Sequence, residues 1–278
     1  MKSALLVGIR DYPGMDPIPG CLNDAADVEV ALRRLGFTSI IRLPDDPAHW
    51  QQVTGARIKD GLRAAIAALR SGDEFMFYFS GHGVKYPVHG VDHEGLCGVD
   101  FAWPDPTSVL IDDDLSQALA GLADGARVTI VADACYSGGL QTNFALLLST
   151  AAAPSFRIRA YPVIPDDIMA EIARLDSLQQ TRTFADAVMA GNGVPTTRNA
   201  VLLSACAPDQ LAADTDFAGR PNGVLTFALL QRLAEPGAKG EDAKTTLAAL
   251  TAAIKAFGFS QTPQLHGREI LFGEPLIP

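Results

Sequence analysis

The sequence predicts an α/β fold in which helices cover a mostly parallel sheet. Short apolar runs alternate with longer segments of helical periodicity, which is the order of strands joined by crossover helices. Two of the runs, VTIVAD and AVLLS, are apolar almost throughout, as expected of parallel strands buried on both faces. The chain of 278 residues is long enough to enclose one sizeable core.

Each element follows from a local pattern. Strands are predicted at Ser3–Ile9, Ser39–Leu43, Glu74–Ser80, the VTIVAD run, Ala200–Ser204 and Glu269–Phe272. Helices are predicted at Asn23–Leu35, Gly55–Leu69, Asp166–Leu178, Gly223–Leu233 and Thr245–Phe257. A further helix is expected over LSQALAGLA, capped by Asp112 or Asp113. The stretch between Ser80 and Leu110, rich in Gly, Pro, His and Asp, is expected to form loops and a hairpin above the sheet.

We expect a single domain over residues 1–278, made of two segments and an insertion. Residues 1–139 carry most of the strand and helix signals, and residues 199–278 add further elements to the same sheet. Between them, residues 140–198 are Ala-rich and interrupted by prolines, which is typical of an insertion or linker.

Composition excludes several classes of function. With 22 basic against 32 acidic residues the net charge is −10, and no basic run is present, so we expect no nucleic-acid partner and no membrane surface. The apolar run at residues 4–9 is too short for a secretion signal. The four cysteines lie far apart without CxxC spacing, which favours a reducing, cytoplasmic location.

Two predicted strands end at groups suited to nucleophilic chemistry. Ligands of parallel sheets bind beyond the carboxyl ends of the strands, and here those ends carry His82 and Cys135. An imidazole can accept the proton of a thiol, which makes the pair a candidate base and nucleophile. The glycines on both sides of His82 leave room for a substrate.

The motifs around this pair resemble a known family. YFSGHG and, 53 residues after the histidine, DACYSG are similar to the metacaspase and orthocaspase branch of the caspase-like cysteine peptidases, family C14. The resemblance extends to ALLVGIRDY, GCLNDA, IDDDL, LLSACAPDQLAAD and GVLTFALLQRL. It implies a caspase-like three-layer fold with about six mostly parallel strands. Residues 1–139 and 199–278 would then be the large p20-like and small p10-like segments.

The resemblance also implies a specificity. A cysteine endopeptidase of this branch cleaves after Arg or Lys through a His/Cys dyad, here His82 and Cys135. Backbone N–H groups of Gly83 and Cys135 would hold the oxyanion. The family pocket for the P1 side chain, called S1, falls on Cys21, Asp24, Ser80 and Asp133. Two carboxylates in a partly desolvated pocket attract a guanidinium and repel an aspartate.

The pocket residues also have simpler interpretations. Asp24 lies near a predicted helix start and would serve there as a cap, and Cys21 would serve as a packing residue. Asp133 is harder to explain without function, because an acid that closes a buried apolar strand needs a partner.

Calcium, which many members of this branch bind, is not expected to be required. Asp112 and Asp113 match two of the four family ligand positions, whereas the other two are His93 and Thr142. Ca²⁺ prefers six to eight oxygen ligands, so the missing carboxylates predict a weak or absent site. His89 and His93 are four residues apart, but without helical periodicity this spacing is poor evidence for a metal.

Several alternatives remain open. The insertion contains candidate self-cleavage sites for a basic P1 preference, namely Arg157, Arg159, Arg174, Arg182 and Arg198. The insertion could equally be a helical lid or a docking surface that is not cut. The chain could also be a non-catalytic caspase-like scaffold, or a legumain-like or CHAT-type peptidase with the dyad but without paired pocket acids. Protein or peptide substrates with basic P1 are expected, with activation left to a partner protein or small-molecule signal.

Overall fold

A six-stranded sheet forms the centre of the molecule. The computed structural model describes residues 1–135, 156–159, 164–189 and 199–277. Five strands of the sheet are parallel: β1 (Lys2–Gly8), β2 (Ser39–Leu43), β3 (Glu74–Ser80), β7 (Arg127–Asp133) and β10 (Ala200–Ser204). Strand β13 (Gln264–Gly267) runs antiparallel at one edge. Across the sheet the strands follow the order β13, β10, β7, β3, β1, β2. The predicted fold class is confirmed.

Helices cover both faces of the sheet because successive strand side chains point to opposite sides. In β1, Leu5 and Val7 join one core cluster, which the first set of helices covers: α2 (Gly55–Ala67), α3 (Asp112–Ala120) and α5 (Phe184–Met189). Ala4 and Leu6 join the opposite cluster under α1 (Gly20–Arg34), α6 (Val224–Ala234) and α7 (Ala243–Ala256). A further helix, α4, spans Asp166–Ser177.

Two small sheets lie beside the carboxyl edge of the central sheet. The first contains β4 (Gly83–Val88), β5 (Val91–Cys97) and β6 (Val109–Ile111), with β9 (Thr181–Arg182) paired in parallel to β5. The second contains β8 (Phe156–Ile158), β11 (Ala213–Phe217) and β12 (Arg220–Gly223). The expected hairpin after Ser80 is therefore present as β4 and β5. Short 3₁₀ segments at Pro47–Gln52 and Pro106–Ser108 complete the connections.

Two predicted details are wrong. The segment predicted as the last strand is a 3₁₀ turn, Glu269–Gly273, in which Ile270 is exposed, and the edge strand lies earlier at Gln264–Gly267. Neither Asp112 nor Asp113 caps α3: the helix begins at Asp112, and the carboxylate of Asp114 accepts the N–H of Ile111 at 3.2 Å. Asp112 is buried instead. In the described part of the chain, no helix has the length and apolar character needed to cross a membrane.

Candidate active site

The register of the central sheet brings the two predicted reactive residues to neighbouring strand ends. Strands β3 and β7 pair in parallel along their whole length, with Ser80 opposite Asp133. His82 and Cys135 each follow two residues after this pair. Both therefore lie at the carboxyl edge of the sheet, where parallel folds place their ligand sites.

His82 is held in a buried position against Tyr12. Its backbone N–H donates to the Tyr12 hydroxyl at 3.0 Å, and the two ring centroids are 4.7 Å apart. Burial, which disfavours the charged imidazolium, lowers the pKa of His82 to about 4. The imidazole is therefore neutral at pH 7, which is the form that accepts a proton.

Cys135 is buried beside the chain segment that enters β11. Its Sγ accepts the backbone N–H of Ala212 at 2.9 Å and lies 3.4 Å from the Ala212 carbonyl oxygen. The sulfur is thus fixed by the second half of the chain, whereas the strand that carries it belongs to the first half.

One carbonyl oxygen lies at the predicted oxyanion position. The backbone N–H groups of Gly83 and Cys135 both point to the carbonyl oxygen of Arg159, at 2.9 and 3.4 Å. Two converging N–H donors at the end of a buried strand are the arrangement that stabilises a developing oxyanion. The structure thus brings together the two predicted donors around a peptide carbonyl of this chain.

The side chain of the same residue fills a pocket lined by acids. The guanidinium of Arg159 is fully buried. Its Nη2 donates to Asp24 at 2.7 Å and to Asp214 at 2.9 Å. Its Nη1 donates to the Ser80 hydroxyl at 2.6 Å and to the Asp133 carbonyl oxygen at 3.1 Å. Each of the two terminal nitrogens of the guanidinium thus has two hydrogen-bond acceptors.

Asp133 acts on Arg159 from slightly farther away. One of its carboxylate oxygens lies 3.4 Å from Arg159 Nη1. The other accepts the backbone N–H of Thr226 at 3.0 Å and the Thr226 hydroxyl at 2.6 Å. The nearest carboxylates to the guanidinium are therefore Asp24 and Asp214, while Asp133 contributes a carbonyl hydrogen bond and a charge held in place by α6.

Asp24 is the most heavily coordinated acid of the pocket. Its carboxylate accepts the Ser80 hydroxyl at 2.8 Å, the Asn222 amide at 2.9 Å and the Gly223 N–H at 3.0 Å. Burial raises its pKa to about 6, and the adjacent Arg159 guanidinium opposes that rise. Since α1 begins at Gly20, Asp24 lies inside the helix, and the interpretation of Asp24 as a helix cap is wrong.

Cys21 lies close to the Ser80 hydroxyl and the Arg159 guanidinium. It is fully buried, and burial raises the pKa of its thiol, which favours the neutral form. The predicted set Cys21, Asp24, Ser80 and Asp133 is therefore gathered in one pocket.

Three further pocket residues were not predicted from the sequence. Asp214 on β11 and Asn222 and Gly223 on β12 come from the second half of the chain. A Cβ at Gly223 would lie 2.2 Å from the Asp133 carboxylate and 2.6 Å from the Arg159 guanidinium carbon, so only glycine fits there. The available signal was the motif LLSACAPDQLAAD, which ends at Asp214.

Residues 156–159 lie along the site as an added strand. Strand β8 pairs antiparallel with β11, placing Ile158 opposite Ala213 and Phe156 opposite Thr215. The Arg159 N–H continues this ladder to the Ala212 carbonyl oxygen at 3.1 Å. Backbone pairing of an extended peptide with a sheet edge is a common mode of peptide recognition.

The expected calcium positions form a different kind of cluster. His93, Asp112 and Asp113 have ligand atoms within 4.8 Å of one another, but His93 Nδ1 is hydrogen-bonded to Asp112 at 2.8 Å. The guanidinium of Arg182 lies 2.5 Å from Asp113. An imidazole and a guanidinium at two carboxylates do not fit an ion that needs six to eight oxygens. Thr142 lies outside the described residues, and His89 is exposed at the hairpin turn, away from this cluster.

Comparisons with known proteins agree with this architecture. A family model described as the caspase domain matches residues 1–271. Metacaspase-7 of Arabidopsis thaliana is 34% identical over 143 residues, which cover 50% of this chain and 35% of that protein. Metacaspase-1 of Cryptococcus neoformans is 27% identical over 254 residues, which cover 84% of this chain and 55% of that protein. The chain thus matches only between about a third and just over half of these relatives' lengths.

A solved structure shows the same fold. The crystal structure of a Geobacter sulfurreducens protein superposes with a TM-score of 0.65 and 24% identity, covering 98% of this chain and 96% of that one. The family model covers nearly the whole sequence, and the predicted resemblance is thereby confirmed. The protein belongs to the caspase-domain family of C14 peptidases, with metacaspases among its relatives.

Proposed function

We propose that this protein is a cysteine endopeptidase that cleaves peptide bonds after arginine, and less efficiently after lysine. One observation carries the proposal: Arg159 lies in the site as a P1 residue would, with its carbonyl oxygen at the N–H groups of Gly83 and Cys135 and its guanidinium among three carboxylates. Family membership supports the cysteine chemistry.

The residues of the site have a consistent set of chemical roles. Neutral His82 accepts the proton of the Cys135 thiol, and the thiolate attacks the carbonyl carbon of the scissile bond. The N–H groups of Gly83 and Cys135 hold the resulting oxyanion. The imidazolium returns its proton to the leaving amine, and water, activated by the same imidazole, then hydrolyses the acyl-enzyme.

The geometry of the pocket favours arginine over lysine. The guanidinium uses Nη2 for Asp24 and Asp214, and Nη1 for the Ser80 hydroxyl and a backbone carbonyl. A lysine ammonium carries the same charge on one compact nitrogen, so it cannot serve both sets of acceptors with the planar geometry of a guanidinium. An acidic P1 side chain would meet like charges in a buried space.

The segment Phe156, Arg157, Ile158, Arg159 serves as a template for the preferred substrate. It pairs with β11 through its backbone, which fixes direction and register. Phe156 packs edge-to-face on Phe259 with 6.0 Å between ring centroids. The Arg157 side chain is exposed, and its contact with Asp214 is a long one, with Nη1 3.8 Å from the carboxylate. We therefore expect an aromatic P4 to contribute to affinity and P3 to matter little.

Self-processing would occur at the bond between Arg159 and Ala160. Of the candidate arginines, Arg159 is the one seated in the pocket, whereas Arg157 and Arg174 are exposed and Arg182 pairs with Asp113. Arg198 lies outside the described residues. Incubated wild type should yield fragments 1–159 and 160–278 by intact mass, and Cys135→Ala should remain whole. If the wild type stays intact, the segment that carries Arg159 acts as an uncut inhibitor of the site.

Covalent labelling tests the proposed activity and separates it from a scaffold function. A Phe-Arg-Ile-Arg acyloxymethyl ketone should alkylate Cys135 in the wild type, with loss of its carboxylate leaving group, and add the mass of the peptidyl methyl ketone. Cys135→Ala should gain no mass. The matched reagent with Asp in the last position should react far more slowly. Absence of labelling in folded Arg159→Gln, whose pocket is free of the chain's own arginine, would favour the non-catalytic scaffold, and preference for the Asp reagent would refute the basic pocket.

A further inference from the structure

We propose that Arg182 supplies the positive charge for the acidic pair Asp112 and Asp113, so that this chain uses one of its own side chains where a divalent cation would otherwise be needed. The proposal concerns the cluster at the start of α3 and does not depend on the peptidase activity.

The contacts place the Arg182 guanidinium against both acids. Its Nη1 lies 2.5 Å from the Asp113 carboxylate, and its Nε lies 3.7 Å from the Asp112 carboxylate. Asp112 is fully buried, and its other oxygen is hydrogen-bonded to His93 Nδ1 at 2.8 Å. A buried carboxylate without a nearby positive charge is costly. Arg182 supplies that charge, and the His93 imidazole supplies a hydrogen bond.

The third acid of the run has separate cations. Asp114 pairs with Lys59 at 2.8 Å and with Arg63 at 2.9 Å, both on α2. Within the described ranges, the cation at Asp112 and Asp113 is Arg182, and His93 is hydrogen-bonded to Asp112. Removal of Arg182 therefore leaves two adjacent carboxylates with an imidazole as their remaining partner.

Backbone pairing between two strands holds Arg182 beside the acidic pair. Strand β9 pairs in parallel with β5, placing Arg182 opposite His93. Close by, the N–H of Asp92 donates to the Gln180 carbonyl oxygen at 2.8 Å, and the N–H of Phe184 donates to the buried Glu94 carboxylate at 2.8 Å. The Arg182 guanidinium is thus held by a contact that backbone hydrogen bonds form between the insertion and the β4–β5 hairpin.

The cluster is connected to the oxyanion donor through that hairpin. Strand β5 pairs antiparallel with β4, whose first residue is Gly83, and its Cys97 N–H donates to the His82 carbonyl oxygen at 3.0 Å. Strand β6, which leads directly into Asp112, pairs with β5 on its other side. Arg182 therefore ties the start of α3 to the strand that supports His82 and Gly83.

The test compares thermal unfolding midpoints in EGTA and in millimolar CaCl₂ for four proteins, all carrying Cys135→Ala to prevent self-cleavage. They are the otherwise wild-type chain, Arg182→Gln, Arg182→Gln with Asp113→Asn, and Arg174→Gln. Arg174 is an exposed arginine of the same insertion that pairs with Glu171 on its own helix, which makes it a matched control.

We expect the parent and Arg174→Gln to unfold at the same temperature in EGTA and in calcium. Arg182→Gln should unfold roughly 3–6 °C lower in EGTA and recover most of the loss in calcium, because a bound cation stabilises the native state. The added Asp113→Asn should restore the midpoint without calcium, since it removes the excess charge. If Arg182→Gln does not fold alone, folding of the double variant alone supports the proposal.

Three results would overturn it. They are calcium-dependent stabilisation of the parent, an unchanged midpoint of Arg182→Gln in EGTA, and a double variant no more stable than Arg182→Gln. The first would show that the cluster with His93 is itself a metal site.

Discussion

The backbone N–H of Gly83 donates a 2.9 Å hydrogen bond to the carbonyl oxygen of Arg159. At the other end of the same residue, the guanidinium lies 2.7 Å from the Asp24 carboxylate. The distance from the oxyanion donors to the acidic pocket is therefore spanned by one arginine in an extended segment. This relationship links the proposed reaction centre to the proposed P1 pocket.

Arg159→Gln should free the pocket for substrates added in solution. An intramolecular ligand competes at an effective concentration in the millimolar range, so its removal should lower KM for an arginine peptide by roughly tenfold or more. Its effect on kcat should stay within about twofold, because Arg159 does not take part in the reaction on another peptide. Arg157→Gln, at the exposed neighbouring arginine, is the control. An unchanged KM in Arg159→Gln would contradict self-occupation of the pocket.

Neutralising the acids closest to the guanidinium should impair arginine cleavage. Asp24→Asn and Asp214→Asn should each lower kcat/KM for a P1-arginine peptide by roughly 10²-fold, because removal of one partner of a buried ion pair costs about 2–5 kcal/mol. Asp216→Asn, at the exposed acid two residues along β11, should change kcat/KM less than about twofold. Equal effects at Asp214 and Asp216 would refute the role of Asp214.

Loss of Arg159 should also alter the pH dependence of stability. In Arg159→Met the guanidinium no longer opposes the effect of burial, so the pKa of Asp24, already raised to about 6, rises further. A folded-state pKa above the unfolded value means that the native state holds the proton more tightly. The resulting stability is present at low pH and is lost as pH rises through the folded pKa.

The deficit of Arg159→Met relative to wild type should therefore widen between pH 5 and pH 8. Thermal unfolding across that range, on a Cys135→Ala background, measures it. Arg157→Met should follow the parent at every pH. A deficit that narrows as pH rises would show that the acids are not relying on Arg159.

Gly223→Ala should damage the pocket through sterics alone. The added methyl group would lie 2.2 Å from the Asp133 carboxylate and 2.6 Å from the Arg159 guanidinium carbon. Asp133 and Arg159 both belong to the buried hydrogen-bond network of the pocket. We expect a loss of about 1–3 kcal/mol in unfolding free energy, as for other overpacked sites. Gly273→Ala has no neighbour within 4 Å of its added atom and should stay within about 0.5 kcal/mol. Equal stability of the two variants, measured in urea, would argue against this packing.

The sequence predicts the inner sheet well because β1, β3, β7 and β10 are buried on both faces, whereas the edge strand β2 is partly exposed. Ser39–Leu43, Glu74–Ser80 and Ala200–Ser204 have the predicted bounds. The error at Glu269–Phe272 arises because a short apolar run has no periodicity that distinguishes a strand from a 3₁₀ turn. The turn exposes Ile270 and buries Leu271. The preceding segment Gln264–Gly267 has little apolar character, but it forms the edge strand because its backbone pairs with β10.

The candidate site is only partly predictable for a related reason. His82, Cys135, Asp24 and Asp133 stand in local motifs. Asp214 and Arg159 act through pairings between residues far apart in the chain, including β8 with β11, and no local pattern encodes such a pairing. The same holds for Arg182, whose partner Asp113 lies 69 positions earlier in the sequence.

The most direct test of the central claim is the ratio of kcat/KM for two fluorogenic peptides, Phe-Arg-Ile-Arg and Phe-Arg-Ile-citrulline. Citrulline keeps the length and shape of arginine but carries no charge. Because the pocket surrounds the guanidinium with buried carboxylates, we predict that arginine is preferred by roughly 10²-fold or more, and that the preference falls in Asp24→Asn. A ratio near one in the wild type would contradict the account.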